Sequence, residues 1–308
     1  MGALPTFQAF LLGEGIELRE LSIVDKDLLW SVYDAFIWQR VKELRSRPDL
    51  PVSVGVLNQI LAEQMIADHL GERWVQKHIL NPRLSDQAKG YLDLGDHQLL
   101  RALSLHRVQE LARRLYQLQS FSWFEPVLDG VRTRKLSGAA FELDALWALQ
   151  TTSPHVVAKS SSGAKGDDYD SFAVMGERLV PVEIKAKGDD TPWSNRTVIN
   201  TVKAAAKQFP KGDVGLLFIR VPTAWVGPVL EAEYVNALAE GTRNTARIGA
   251  IITALDKPHL TSASTASVSR HFDCFNAPDC PDYIWDFCLQ FKSLQDAEVN
   301  YLAAQPPF

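Results

Sequence analysis

The chain has 308 residues, 46% hydrophobic and 22% charged, which suits one large globular domain or two ordinary ones. That balance excludes wholesale disorder, collagen-like repetition and a small disulfide scaffold. A net charge of −5 excludes a broadly basic nucleic-acid binder, so any contact with phosphates needs a local basic surface. No apolar run reaches the roughly 18 residues of a membrane helix, and Met1–Phe10 lacks a secretory pattern. The three cysteines, Cys274, Cys280 and Cys288, are odd in number and argue against a disulfide framework. The expected compartment is a reducing cytoplasm.

The first 130 or so residues read mostly as helix. An alternating stretch, Ile16–Leu21, leads into a helical pattern from Asp27 to Arg45, closed by Pro48 and Pro51, with Lys42, Arg45 and Arg47 at its basic end. A second helix is expected from Leu57 to Ile79 and a third from Gln98 to Gln119, each with apolar residues at helical spacing. Packing of a helical subdomain is the ordinary role of such stripes; docking of a partner or of DNA is the other. After Val131 the pattern changes. Gly138–Gln150 reads as helix and His155–Ser160 as strand, and Ser171–Met175 and Leu179–Ala186 form a hairpin turning at Gly176-Glu177. Thr197–Phe209 is helical up to Pro210, and strands are expected at Val214–Val221 and Ile248–Leu255 with a helix around Leu230–Glu240 between them. This order describes an α/β or α+β layer with a mixed sheet. The segment after Asp256 has no clear pattern. The expected division is residues 1–130, a mostly helical subdomain for substrate or partner contact; 131–260, the α/β domain; and 261–308, an extension packed on it.

Four pieces of the second half carry chemistry. Strand alternation puts Glu183, Lys185 and Lys187 on one face, with Val182, Ile184 and Ala186 on the other. A solvated face is the ordinary reading of such charges. Upstream, Gly166-Asp167-Asp168-Tyr169-Asp170 lies on the partner strand, where it serves either as turn chemistry or as carboxylates brought beside Glu183. Bare carboxylates held together repel unless a cation intervenes, and Mg²⁺ is the natural ion for an all-oxygen site. Glu142 shares a helix face with Leu146 and Leu149, so it is aimed toward a core or snorkels at the edge of the stripe. Positive charge accompanies these acids at Arg132, Arg134, Lys135, Lys159, Lys165, Lys203, Lys207 and Lys211.

Together these residues resemble the PD-(D/E)XK nuclease superfamily, in an ordered set that spans about Gly138–Leu255. A helix bearing Glu142 is followed by a strand, an Asp opening a hairpin, Glu183-Ile184-Lys185, a helix and a further strand. The motif is departed from at Tyr169, which stands where the pattern has Pro. Three aspartates compete for one role, with Asp170 first and Asp168 second. The resemblance implies a restriction-endonuclease-like fold, a mixed central sheet flanked by helices. It implies a Mg²⁺-dependent endonuclease, with Mn²⁺ as substitute, acting on DNA before RNA in restriction or anti-phage defence. Asp170 and Glu183 would hold the ion with the Ile184 carbonyl, and Glu142 would hold a second ion or a water. Lys185 would orient the attacking water and stabilise phosphoryl charge. Lys165, Lys187, Lys203, Lys207 and Arg134 would contact nucleic acid, and Gln208 would match a glutamine of some relatives. A homodimer or a partner protein would meet the N-terminal helices. The rival reading keeps the fold without the chemistry, as a binding or assembly module.

Other signals are weaker. Ser161–Gly166 lacks the spacing of a P-loop, and Gly13-Glu14-Gly15 is too short for a dinucleotide fingerprint. His271 and the three cysteines lack paired zinc spacing, so the cysteines are expected to be buried as small hydrophobes.

Overall fold

The structure, a computed structural model, describes residues 54–95, 97–159, 168–225, 227–243, 245–260 and 266–304, together with Gln39, Glu43 and Ser46. The expectations for Ile16–Leu21, for most of Asp27–Arg45, and for Lys165 and Asp167 lie outside the described residues.

Helices α1 (Val54–Leu70) and α2 (Glu72–His78) replace the single helix expected over 57–79. The break falls at Gly71, whose φ of +86° is open to glycine and costly for other residues. Helix α3 (Gln98–Leu118) follows the expected bounds, opened by the His97 imidazole accepting from the Leu99 N–H. Helix α4 (Phe124–Thr133) has no counterpart in the sequence reading. Its Pro126 sits in the first turn, where a missing N–H costs nothing. Helix α5 (Leu136–Thr152) is buried on all sides from Ala139 to Leu149, so Glu142 is enclosed rather than placed at the edge of a stripe.

Strands β1 (Val156–Ala158), β2 (Ser171–Met175), β3 (Arg178–Ala186), β4 (Gly215–Arg220), β5 (Ile248–Leu260) and β6 (Ala266–Asn276) form one sheet in sequential order. β1, β2 and β3 pair antiparallel, β3, β4 and β5 parallel, and β6 returns antiparallel to β5. The parallel pairs require crossovers, supplied by α6 (Asn195–Ala206) and α7 (Pro228–Thr242). The Ser194 hydroxyl caps α6 by accepting from the Thr197 N–H. β4 is buried along its whole length, as its unbroken apolar run requires of a central strand covered on both faces.

Side chains alternate between two apolar layers. Val182, Ile184, Leu216, Phe218, Ala250 and Ile252 pack against α1, α3, α5 and α8 (Asp282–Ala304) in a cluster that runs from Leu61 to Phe291. Leu217, Ile219 and Ile251 pack against α6 and α7 on the other face. Apolar residues of the helical first part and of the sheet thus fall in one cluster. The segment after Asp256 is likewise part of the sheet, since β6 pairs with β5 from Asn276 back to Ala266. Among the described residues no helix is long and apolar enough to cross a membrane.

A layer of buried charge fastens α3 and α5 to the end of the sheet. Arg107 pairs with Asp189 at 2.9 Å and with Asp256 at 3.7 Å. Arg220 meets Asp189 at 2.9 Å and the Lys187 carbonyl at 3.1 Å. The two guanidinium groups lie 4.7 and 4.8 Å from the Tyr91 ring centre. Arg270 forks onto Asp256 at 2.7 and 3.3 Å and reaches Asp144 at 2.7 Å. Arg114 joins Glu110 at 2.8 Å and Asp144 at 3.2 Å, stacked 3.6 Å from the Trp147 ring centre. Each ion is offset by an opposite charge, which is what allows such groups out of water at all.

Acid sensitivity is built in at His69. It stands edge-on to Tyr116 and Phe124, and burial together with the Arg132 charge lowers its pKa from 6.5 to about 4. The unfolded chain takes up a proton near pH 6.5, whereas the folded ring resists it until about 4. The stability this gives is present above pH 6.5 and is lost as the pH falls to about 4. Melting temperatures between pH 7 and 4.5 are expected to fall less steeply in His69→Phe than in wild type. Parallel curves would show that the ring titrates freely.

Candidate functional site

Asp170 sits one residue before β2, and its backbone N–H donates to the Val182 carbonyl at 3.1 Å. There the ladder ends. The Asp170 side chain takes over, its Oδ2 accepting from the Ile184 N–H at 2.7 Å. This is the local bond an aspartate offers to a backbone donor that has lost its strand partner. It fixes the carboxylate against the C-terminal part of β3.

Glu183 is 0% exposed, so its strand face is not the solvated one that charge alternation alone allows. Its face is that of Leu217 and Ile219, on the side of α6 and α7. The Lys185 ammonium lies against Oε1 as an ion pair, yet neither oxygen receives a well-directed hydrogen bond from a donor among the described residues. Burial, and then the neighbouring Asp170 charge, raise the Glu183 pKa to about 8, with Lys185 opposing. Burial also raises Asp170, against the Ile184 N–H, Lys185 and Arg134. The Glu183 and Asp170 side chains act on each other. Two carboxyls held this near one another oppose each other's charge, and a cation would suit both.

Glu142 enters from α5 and forms an ion pair with Arg134, which is half-exposed. Burial raises its pKa, Arg134 opposes, and the Asp170 charge adds to the rise, so Glu142 and Asp170 sense one another. Asp168 acts on Glu183 in the same way, and its backbone N–H donates to the Gln208 carbonyl at 3.3 Å. Glu142, Asp168, Asp170, Glu183 and Lys185 therefore belong to one electrostatic group. Among the described residues, however, no three His, Cys, Asp or Glu side chains stand close enough to hold a metal ion by themselves.

The basic residues divide. Lys203 and Lys207 are exposed on and just beyond α6. Lys187 is half-buried, and burial and then Lys185 hold its amine below the ordinary value. Arg134 is engaged with Glu142. Lys159 stacks 4.1 Å from the Tyr169 ring centre, beside Asp170. That arrangement and the Arg134–Glu142 pair carry no sequence signal, because both depend on how separate elements meet. The cysteines are free: Cys288 is buried, and Cys274 and Cys280 are half-buried. His271 alternates away from Cys274 along β6, so the two cannot share a zinc ion.

No protein-family model matches the chain, and no curated protein matches it in sequence.

Proposed function

We propose that the protein is a Mg²⁺-dependent nuclease that hydrolyses phosphodiester bonds, with DNA as the favoured substrate. The observation that carries the reading is the buried Glu183 carboxyl, without a well-directed donor among the described residues, set beside the half-buried Asp170 and flanked by Lys185. The order α5, β1, β2, β3, α6, β4 supports it, because it is the order in which the PD-(D/E)XK superfamily sets out the same residue types. The donor set fits Mg²⁺, which is commonly held by one or two carboxylates, with waters and substrate phosphate filling the remaining positions.

In this reading Asp170 and Glu183 would hold the ion, and Glu142, paired with Arg134, would hold a water or a second ion. A bound Mg²⁺ supplies charge neutralisation at the phosphoryl group and acidifies a water. Lys185 orients the attacking water and stabilises charge as it builds on the phosphoryl oxygens. Lys203 and Lys207 meet the nucleic-acid backbone, with Lys187 nearer the reacting group.

A second reading, a binding or assembly module without catalysis, draws on the fact that Glu183 and Glu142 each already have an internal cation. Incubating the protein with plasmid, single-stranded DNA and RNA separates the two. Cleavage that needs Mg²⁺ or Mn²⁺, stops with EDTA and disappears in Asp170→Asn is the expected result. Equal cleavage by Asp170→Asn would mean a contaminant and would end the nuclease reading. Absent cleavage with no ion uptake by calorimetry would favour the module.

A further inference from the structure

β5 and β6 continue past the sheet. β4 accompanies β5 only as far as Ala254, whereas β5 and β6 stay paired out to Leu260 and Ala266. Residues 255–260 and 266–271 thus form a two-stranded ribbon. Cross-strand partners share a face, as do alternate residues on each strand. Leu255 pairs with His271, Lys257 with Ser269 and His259 with Ser267, so both histidines and Ser269 fall on one face. There the Ser269 hydroxyl lies 2.9 Å from His259 Nε2 and 2.8 Å from His271 Nε2.

Two imidazole nitrogens aimed at one oxygen are not needed for hydrogen bonding, since both rings are exposed and water would serve each. A hydroxyl has a single hydrogen, so one ring must donate its own Nε2–H to make the arrangement at all. What the geometry does provide is a pair of convergent nitrogen ligands with an oxygen between them. Asp273 follows on the same face, and its charge reaches His271. The opposing cation, Lys257, is drawn toward Glu231 at 3.5 Å.

We propose that His259 and His271 bind a divalent transition ion of the zinc and copper class through their Nε2 atoms, with Ser269 or water completing the coordination. Imidazole suits these ions, whereas Mg²⁺ takes oxygen ligands, so the ribbon and the carboxylate pair select different metals. Metal–nitrogen distances of about 2.0–2.1 Å require both rings to turn inward, which their exposure permits. Partial burial, Lys257 and His259 outweigh Asp273 and hold His271 below its ordinary value, leaving the ring neutral and able to ligate near pH 7.

Metal-free full-length protein titrated with Cu²⁺ and followed by electron paramagnetic resonance tests the site. The expected spectrum shows hyperfine coupling to two imidazole nitrogens, retained in Asp170→Asn and displaced by excess Zn²⁺. His259→Ala and His271→Ala are each expected to weaken binding by about tenfold or more and to remove one nitrogen from the spectrum. Without metal their melting temperatures should match wild type, because the rings are exposed. Copper binding that neither substitution weakens, or no bound copper in wild type, overturns the proposal. Because Asp170→Asn reports on the carboxylate pair alone, failure at the ribbon leaves the nuclease reading untouched.

Discussion

Lys185→Ala is expected to slow metal-dependent cleavage by roughly 10²–10³-fold, with the loss in kcat rather than KM. Among the described residues its ammonium is the cation set against the buried Glu183 carboxylate, and it also acts on Asp170. In the reading proposed here it is aimed at charge that develops only as the phosphoryl group reacts, so its removal should spare substrate binding. The side chain is 32% exposed, and the Glu183 pKa, raised to about 8, lets that carboxyl take up a proton in place of the lost cation, so the melting temperature should stay close to that of wild type. Lys185→Arg keeps the charge but replaces a compact ammonium by a broad fork, and should recover part of the rate. Single-turnover rates on a plasmid at saturating Mg²⁺ are the measurement. A Lys185→Ala rate equal to wild type, with Asp170→Asn inactive, would remove Lys185 from the chemistry while keeping the ion.

The sheet was legible wherever one period dominated. The hairpin about Gly176, the apolar run of β4 and the alternation in β3 each have few alternatives, so elements and register follow from local pattern. The failures have separate physical causes. Gly71 splits a helix whose apolar spacing continues across it, because a backbone break leaves the side-chain pattern intact. Helix α4 is short and begins with Phe-Glu-Pro, which by itself reads as a turn. β6 alternates serine, histidine and aspartate with half-buried residues, and its partnership with β5 is set by distant packing. In the site, the residue types and their order could be read, but the burial of Glu183 could not. The strand's charged face is solvated or enclosed according to where α6 and α7 settle. The Arg134–Glu142 pair and the anchoring of Asp189 by Arg107 and Arg220 are contacts between elements, invisible to any single periodicity.

Arg270→Met is expected to destabilise the fold by about 3–5 kcal/mol, the usual cost of stripping one partner from a buried ion pair. Arg270 faces Asp256, Asp144 and, at 3.8 Å, Glu110, and all three carboxylates are buried. Burial on its own would raise the Asp256 pKa, but Arg270 reverses that and holds it well below the usual carboxylate range. Asp144, by contrast, is raised by burial even with Arg270 and Arg114 beside it. Without Arg270, both acids lose their nearest cation and must either stay charged in a poor solvent or take up protons. Methionine fills most of the volume, so cavity formation contributes little and the penalty is electrostatic. Urea denaturation at pH 7 should show the loss. It should shrink as the pH is lowered, because Asp144, its pKa raised by burial, takes up a proton and relieves the unpaired charge; the wild-type curve subtracted at each pH removes the shared contribution of His69. Asp256→Asn combined with Arg270→Met should cost less than the sum of the two single changes, because each removes what the other leaves stranded. A loss below about 1 kcal/mol, or strict additivity, would place these ions in contact with water. The charged layer would then be an outer clasp on α3 and α5, and the apolar cluster beneath would hold those helices to the sheet unaided.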